Sequence, residues 1–171
     1  LVDEAHARGM RVLGDLTTHD GLCRIMANEG GFRVISVDYR LAPENKYPAA
    51  IDDAFATLAW VCANAAHIGV DANRIAVGGD SAGGALAAQV THLAKAKGGL
   101  TLACQMLLFP VTQIGEITKS LREFEAGYFL EKETLDWFYD SYLPSDADKS
   151  DPKISPLRAK DFSGLPPAYV M

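Results

Sequence analysis

Apolar positions along the chain follow two different periods. Short runs rich in β-branched residues are separated by longer stretches in which apolar residues recur at helical spacing. Residues 32–38 (FRVISVD), 74–79 (RIAVGG), 102–109 (LACQMLLF) and 168–171 read as strands, with 10–13 as a shorter first one. Between them, Leu22, Ile25 and Met26 share a helical face in 19–28, after Thr18 as N-cap and before Gly30 and Gly31 as a stop. Ile51, Phe55, Leu58 and Val61 give the next helix a buried stripe, with Pro48 placed for its first turn. Residues 82–97 form a helix of small side chains that ends at Gly98 and Gly99, and 131–142 form an amphipathic one. The run 102–109 is almost continuously apolar, as in a strand covered on both faces. Strand–helix–strand repetition predicts an α/β fold with a mostly parallel sheet flanked by helices and right-handed crossovers.

The length of 171 residues suits one domain. Composition narrows the chemistry only a little. With 16 Lys and Arg against 22 Asp and Glu, the formal net charge is −6, and no basic run offers a surface for a phosphate backbone. A nucleic-acid partner is therefore not expected. The longest apolar stretches are about half of what a bilayer span needs. Cys23, Cys62 and Cys104 are odd in number, widely spaced and free of any C-x-x-C pair. They point to a reducing, cytoplasmic setting and small buried side chains, with neither a disulfide frame nor a zinc site. The chain starts at Leu1 and stops at Met171 inside an apolar run, which raises the expectation that it is part of something longer.

The densest chemical signal is Gly79-Asp80-Ser81-Ala82-Gly83, followed by Gly84. It matches G-x-S-x-G, with a strand running in and a small-residue helix running out. A serine on so sharp a turn takes a strained backbone conformation, and Gly79, Gly83 and Gly84 provide room for it. The turn would lift the hydroxyl above the carboxyl edge of the sheet, with the Ala82 N–H as one oxyanion donor at the positive end of the helix. The plainer reading is a glycine-rich turn with an N-capping serine. A dinucleotide fingerprint fits worse, because Asp80 stands where the second glycine would approach a pyrophosphate.

Residues 37–44 (VDYRLAPE), 47–50 (YPAA), Asp52-Asp53, 79–84 (GDSAGG), Asp151-Pro152, 154–157 (ISPL) and 165–168 (LPPA) resemble, as an ordered set, the hormone-sensitive-lipase-like branch of the α/β-hydrolase esterases. The resemblance runs from about residue 18 to 171. It implies a partial α/β-hydrolase fold with part of a helical cap over about 115–145, hydrolysis of carboxylic esters of short to medium acyl chains, and no cofactor or metal. Ser81 would attack the carbonyl and form an acyl-enzyme that water cleaves. Asp80 would brace the turn, and Arg40, Glu44 and Asp52 would belong to scaffold. Phe124, Tyr128, Phe129, Trp137, Phe138 and Tyr142 fall in the cap-like segment, most of them as packing.

Two departures qualify this. The family's His-Gly-Gly-Gly oxyanion loop corresponds here to His6-Ala7-Arg8-Gly9, and residues 1–17 resemble instead a segment of the α-amylase family. The family order of Ser, then acid, then His would place the triad's acid and base after residue 171. His6, His19, His67 and His92 are not placed to serve Ser81. The expectation is therefore one incomplete domain over 1–171, with an atypical segment 1–17 and little turnover of a small-molecule ester. The alternatives are a non-catalytic remnant that binds a small apolar ligand, and a fragment without activity. Unpaired sheet edges would favour a homo-oligomer.

Overall fold

The computed structural model describes residues 16–171, so the expected strand at 10–13 and the stretch His6-Ala7-Arg8-Gly9 lie outside the described residues. The chain divides into two compact units, Leu1–Asp38 and Tyr39–Met171.

In the first unit, helix α1 spans Leu16–Gly30. Thr18 lies inside it and not at its cap, with Oγ1 at 3.0 Å from His19 Nδ1. An exposed Arg24–Asp20 pair one turn apart adds support at 2.7 Å. Gly31, at φ +65, ends the helix. The expected strand at 32–38 is not formed among the described residues. A strand exists only as part of a ladder, and β propensity alone does not hold one.

The second unit begins with a loop and then helix α2, Ala49–Ala63. Pro48 stands at its N-cap position, one residue before the first turn. A short helical turn, Ala72–Arg74, leads into β1, Ala76–Asp80. Asp71 starts that turn by accepting the Asn73 N–H at 2.9 Å, so β1 begins later than the apolar run suggested. Helix α3 spans Ala82–Lys97, the bounds expected from sequence, and stops at Gly98, φ +69. Next come β2, Cys104–Leu108, helix α4, Lys119–Glu123, helix α5, Lys132–Tyr142, and β3, Ala168–Val170.

The sheet order is β1-β2-β3, and both pairs are parallel. Asp80 lies opposite Leu108, and Leu107 opposite Val170. Parallel neighbours require crossovers, which α3 supplies between β1 and β2 and the α4–α5 segment supplies between β2 and β3. The core lies between α2, α3 and the sheet. Ile51 and Leu58 of α2 meet Leu86 and Val90 of α3, with Ile75 and Val77 against them. Ala87 and Ala88, being small, let α3 approach Leu107. In β2 the burial alternates: Gln105 and Leu107 are buried, and Cys104, Met106 and Leu108 are half-buried. One face of β2 thus carries most of the packing, in place of the two covered faces that its composition suggested.

A third cluster, Ile114, Leu143 and Ile154, anchors the segment between β2 and β3. Its polar pin is Ser155, which has no exposed surface. The hydroxyl donates to the Lys149 carbonyl at 2.7 Å and accepts the Ile114 N–H at 2.9 Å. The end of α5 is held by Lys46, whose ammonium donates to the carbonyls of Asp140 (2.5 Å) and Leu143 (2.9 Å). A cation there complements the negative end of the helix.

Candidate active site

The residues singled out by sequence lie together on the turn that joins β1 to α3. Ser81 adopts φ 51, ψ −114, a conformation that costs a non-glycine residue about 1–3 kcal/mol and persists only where the surroundings over-determine it. Those surroundings are backbone. The Ser81 N–H donates to the Leu108 carbonyl at 2.9 Å. The Ser81 carbonyl accepts the N–H of Ala85 at 3.0 Å, closing the first turn of α3, and that of Val111 at 3.2 Å. The turn is therefore clamped between β2 and α3.

Glycine is required at position 79, and Gly84 is tightly packed. A Cβ on Gly79 would lie 2.4 Å from the Gly83 carbonyl carbon and 2.5 Å from its oxygen. A Cβ on Gly84 would lie 3.0 Å from Pro110 Cβ and 3.1 Å from the Gly79 oxygen. Gly83 differs from the expectation. Its nearest contact would be Asp80 Oδ1 at 4.0 Å, so a side chain is accommodated. Its part is to present backbone to Gly79, which its own Cβ does not disturb.

Ser81 is half-buried, and Ala82 is exposed at the start of α3, where the N–H groups have no intrahelical partner. Asp80 is half-buried, and its charge faces Tyr39. Burial first, and the Asp80 carboxylate second, push the Tyr39 phenol above its ordinary pKa. Arg40 is paired with Asp53. Its Nη2 donates to Oδ1 at 2.8 Å, its Nε to Oδ2 at 2.8 Å, and its backbone N–H to Oδ2 at 2.9 Å. These bonds hold the Asp53 carboxyl below the usual carboxylate range. Arg40 thus joins the 39–48 loop to α2, and its hydrogen bonds run to Asp53 and not toward Ser81.

Two histidines belong to the unit that holds Ser81, His67 and His92. His92 lies ten residues into α3, about 15 Å along the axis from Ala82. Its ring packs edge-on against Phe162, centroids 5.7 Å apart, and burial together with Lys95 pushes its pKa down. His67 is exposed in the turns that lead to the amino end of β1, whereas Ser81 follows the carboxyl end. His19 is in the first unit, and His6 lies outside the described residues. Among the described residues no group of three or more His, Cys, Asp or Glu is arranged to hold a metal, and no helix is long and apolar enough to cross a membrane. Cys23, Cys62 and Cys104 are free thiols, all half-buried.

One feature beside Ser81 left no trace in the hydrophobic pattern. Phe109 was expected to end the strand read at 102–109, but that strand stops at Leu108 and Phe109 takes φ 37. The Phe109-Pro110 pair was the available signal, since proline restricts the residue before it, although a left-handed φ does not follow from that rule.

A parallel sheet with a clamped serine turn at its carboxyl edge defines the architecture of a hydrolase of the α/β class. The chain belongs to the alpha/beta hydrolase fold family, which it matches over residues 6–171. That match takes in most of the amino-terminal stretch for which a second resemblance was noted. Among curated relatives, the carboxylic ester hydrolase LipN of Mycobacterium tuberculosis is 47% identical over 164 residues, covering 92% of this chain and 44% of LipN. The ethyl acetate hydrolase of Pseudomonas putida is 40% identical, covering 95% of this chain and 52% of that protein. The solved hyperthermophilic esterase of Pyrobaculum calidifontis superimposes with a TM-score of 0.88 at 44% identity, covering 93% of this chain and 51% of the esterase. The chain spans about half the length of the curated relatives it matches.

Proposed function

We propose that the chain carries the nucleophile-bearing part of a serine carboxylic ester hydrolase of the hormone-sensitive-lipase-like branch. The observation that carries this reading is the backbone of Ser81. A φ of 51 at a serine, clamped by β2 and α3 and made possible by the Gly79–Gly83 approach, is structure spent on presenting a hydroxyl. In this reading Ser81 Oγ attacks the ester carbonyl, and the carbonyl oxygen becomes the oxyanion. The Ala82 N–H, at the positive end of α3, stabilises it. Collapse of that intermediate expels the alcohol, which carries away the proton given up by the Ser81 hydroxyl, and leaves an acyl group on Ser81, which water removes. Gly79, Gly83 and Gly84 shape the turn, and Asp80 braces it beside Tyr39. Residues 115–145 form a cap over the acyl or alcohol group. The names of the relatives support ester chemistry, and the cytoplasmic setting rests on the three free cysteines.

Neither His67 nor His92 is positioned to take the Ser81 proton. Loss of a triad histidine typically costs on the order of 10⁶ in kcat. The 171 residues alone are therefore expected to turn over slowly. The test is hydrolysis of p-nitrophenyl butyrate by the purified chain and by Ser81→Ala. The expected result is release far below the ordinary enzyme range of about 1–10³ s⁻¹. Ordinary rates lost in Ser81→Ala would keep the nucleophile and overturn the missing base. Ordinary rates that survive Ser81→Ala would overturn both.

A further inference from the structure

Among the described residues, two that are not glycine hold a positive φ, Ser81 at 51 and Phe109 at 37. They are not independent. Each directly follows the carboxyl end of a strand, β1 and β2, and those strands are neighbours in register, with Asp80 opposite Leu108. Two of the three hydrogen bonds that clamp Ser81 come from the segment around Phe109, from the Leu108 carbonyl just before it at 2.9 Å and from the Val111 N–H two residues after it at 3.2 Å. Phe109 is itself pinned by its N–H to the Met171 carbonyl at 2.7 Å.

A strained phenylalanine in a packed protein is ordinarily compensated by burial of its ring. Here that compensation is absent: Phe109 is 59% exposed, whereas Leu107 two residues earlier is 7% exposed in the core. Phe109 thus stands, with its apolar side chain exposed, just past the carboxyl end of β2, in the segment whose backbone clamps the serine turn. That end of the strands is where open α/β sheets receive their ligands. Strained residues concentrate at such places.

We infer that Phe109 is a specificity-determining residue, forming one wall of the pocket that receives the apolar group of the ester next to Ser81. The inference rests on the proposed nucleophilic role of Ser81. It commits to an apolar group of several carbons, on the acyl or the alcohol side of the scissile bond.

The experiment is prolonged labelling of the full chain with fluorophosphonates, read as adduct at Ser81 by peptide mass spectrometry. In that reaction the Oγ–P bond forms, the P–F bond breaks, fluoride leaves and the hydroxyl proton passes to solvent. One arm pairs a hexyl with a methyl group on phosphorus, on the acyl side. The other pairs a hexyloxy with a methoxy group, on the alcohol side. In at least one arm Phe109→Ala is expected to lower the long-to-short ratio by at least about fivefold, modest beside the tenfold or more that one methylene commands in a closed pocket. Phe109→Leu, which keeps apolar bulk, is expected to retain most of the wild-type ratio. Phe109→Gly, whose backbone accepts this φ without strain, is expected to lose the ratio as alanine does and serves if the alanine variant does not fold. Ratios within twofold of wild type in both arms for alanine and glycine overturn the inference while leaving Ser81 as nucleophile. Wild-type protein without adduct at Ser81 overturns the nucleophile, and this inference with it.

Discussion

The serine turn and the segment between β2 and β3 solve opposite problems within one unit. Around Ser81 the structure is made of backbone meeting backbone: glycines approach to van der Waals limits, and three main-chain hydrogen bonds hold one residue in a costly conformation. The 115–142 segment is made of side chains, many of them in solvent. Phe129 is fully exposed and Trp137 half so, while the segment is secured at its ends by Ser155, Lys46 and the Ile114 cluster. The first region tolerates almost no change in shape. The second tolerates change nearly everywhere except at its pins. A turn that must place one oxygen atom would be built in the first way.

Substitutions can break or sharpen that contrast. The largest effect is expected for Gly79→Ala, whose Cβ would overlap the Gly83 backbone at 2.4 Å. It should destabilise the chain by about 3 kcal/mol or more and abolish labelling of Ser81, as denaturant unfolding and mass spectrometry would report. Ser155→Ala should come next, at about 2 kcal/mol, because a buried N–H and a carbonyl lose their common partner. Its signature is loosening of the 115–142 segment in hydrogen exchange, with β1 and α3 still protected. Gly83→Ala has the opposite sign from its neighbour. With open space for the Cβ and a helical position, it should stabilise by up to about 1 kcal/mol in thermal unfolding.

Asp53→Asn probes the scaffold behind the turn through pH. Arg40 depresses the carboxyl in the folded state, so the folded protein binds this proton less readily than the unfolded chain. The contribution is present above the unfolded value of about 4 and disappears as pH falls through the lower folded value. Wild type should lose melting temperature across that window more steeply than Asp53→Asn. The smallest effect belongs to Phe129→Ser, within about 0.5 kcal/mol of wild type, because an exposed ring away from any pin contributes little to stability.

What was legible in the sequence follows the same division. Helix α3 was readable to its last residue, because Ser81, the small side chains and the glycine pair after Lys97 are all local signals. The serine turn was readable because its glycines sit within a few positions of the serine. The strand at 32–38 was misjudged because β propensity says nothing about whether a neighbour is present. Gly83 was over-read as a steric requirement, since G-x-S-x-G does not say which glycine is approached by what. Ser155 fell inside the 154–157 motif, but nothing local marked it, or Lys46, as a pin. Their partners lie 41 residues away at Ile114 and 97 residues away at Leu143, and nothing in the period of apolar residues encodes such a contact. Phe109 was missed for a related reason: its conformation is set by Met171 and by the serine turn, not by its own neighbours in sequence.

The most direct test is to ask which serine of the chain reacts. The wild-type protein and Ser81→Ala would be incubated at length with one small fluorophosphonate, and every serine-containing peptide weighed. Even without a triad base, placement and a partial oxyanion site can leave an advantage of roughly 10³–10⁴ over water. The account predicts adduct on Ser81 well ahead of the remaining serines, and no preferred site in Ser81→Ala. Adduct spread evenly over the exposed serines, or the same pattern in both proteins, would contradict it.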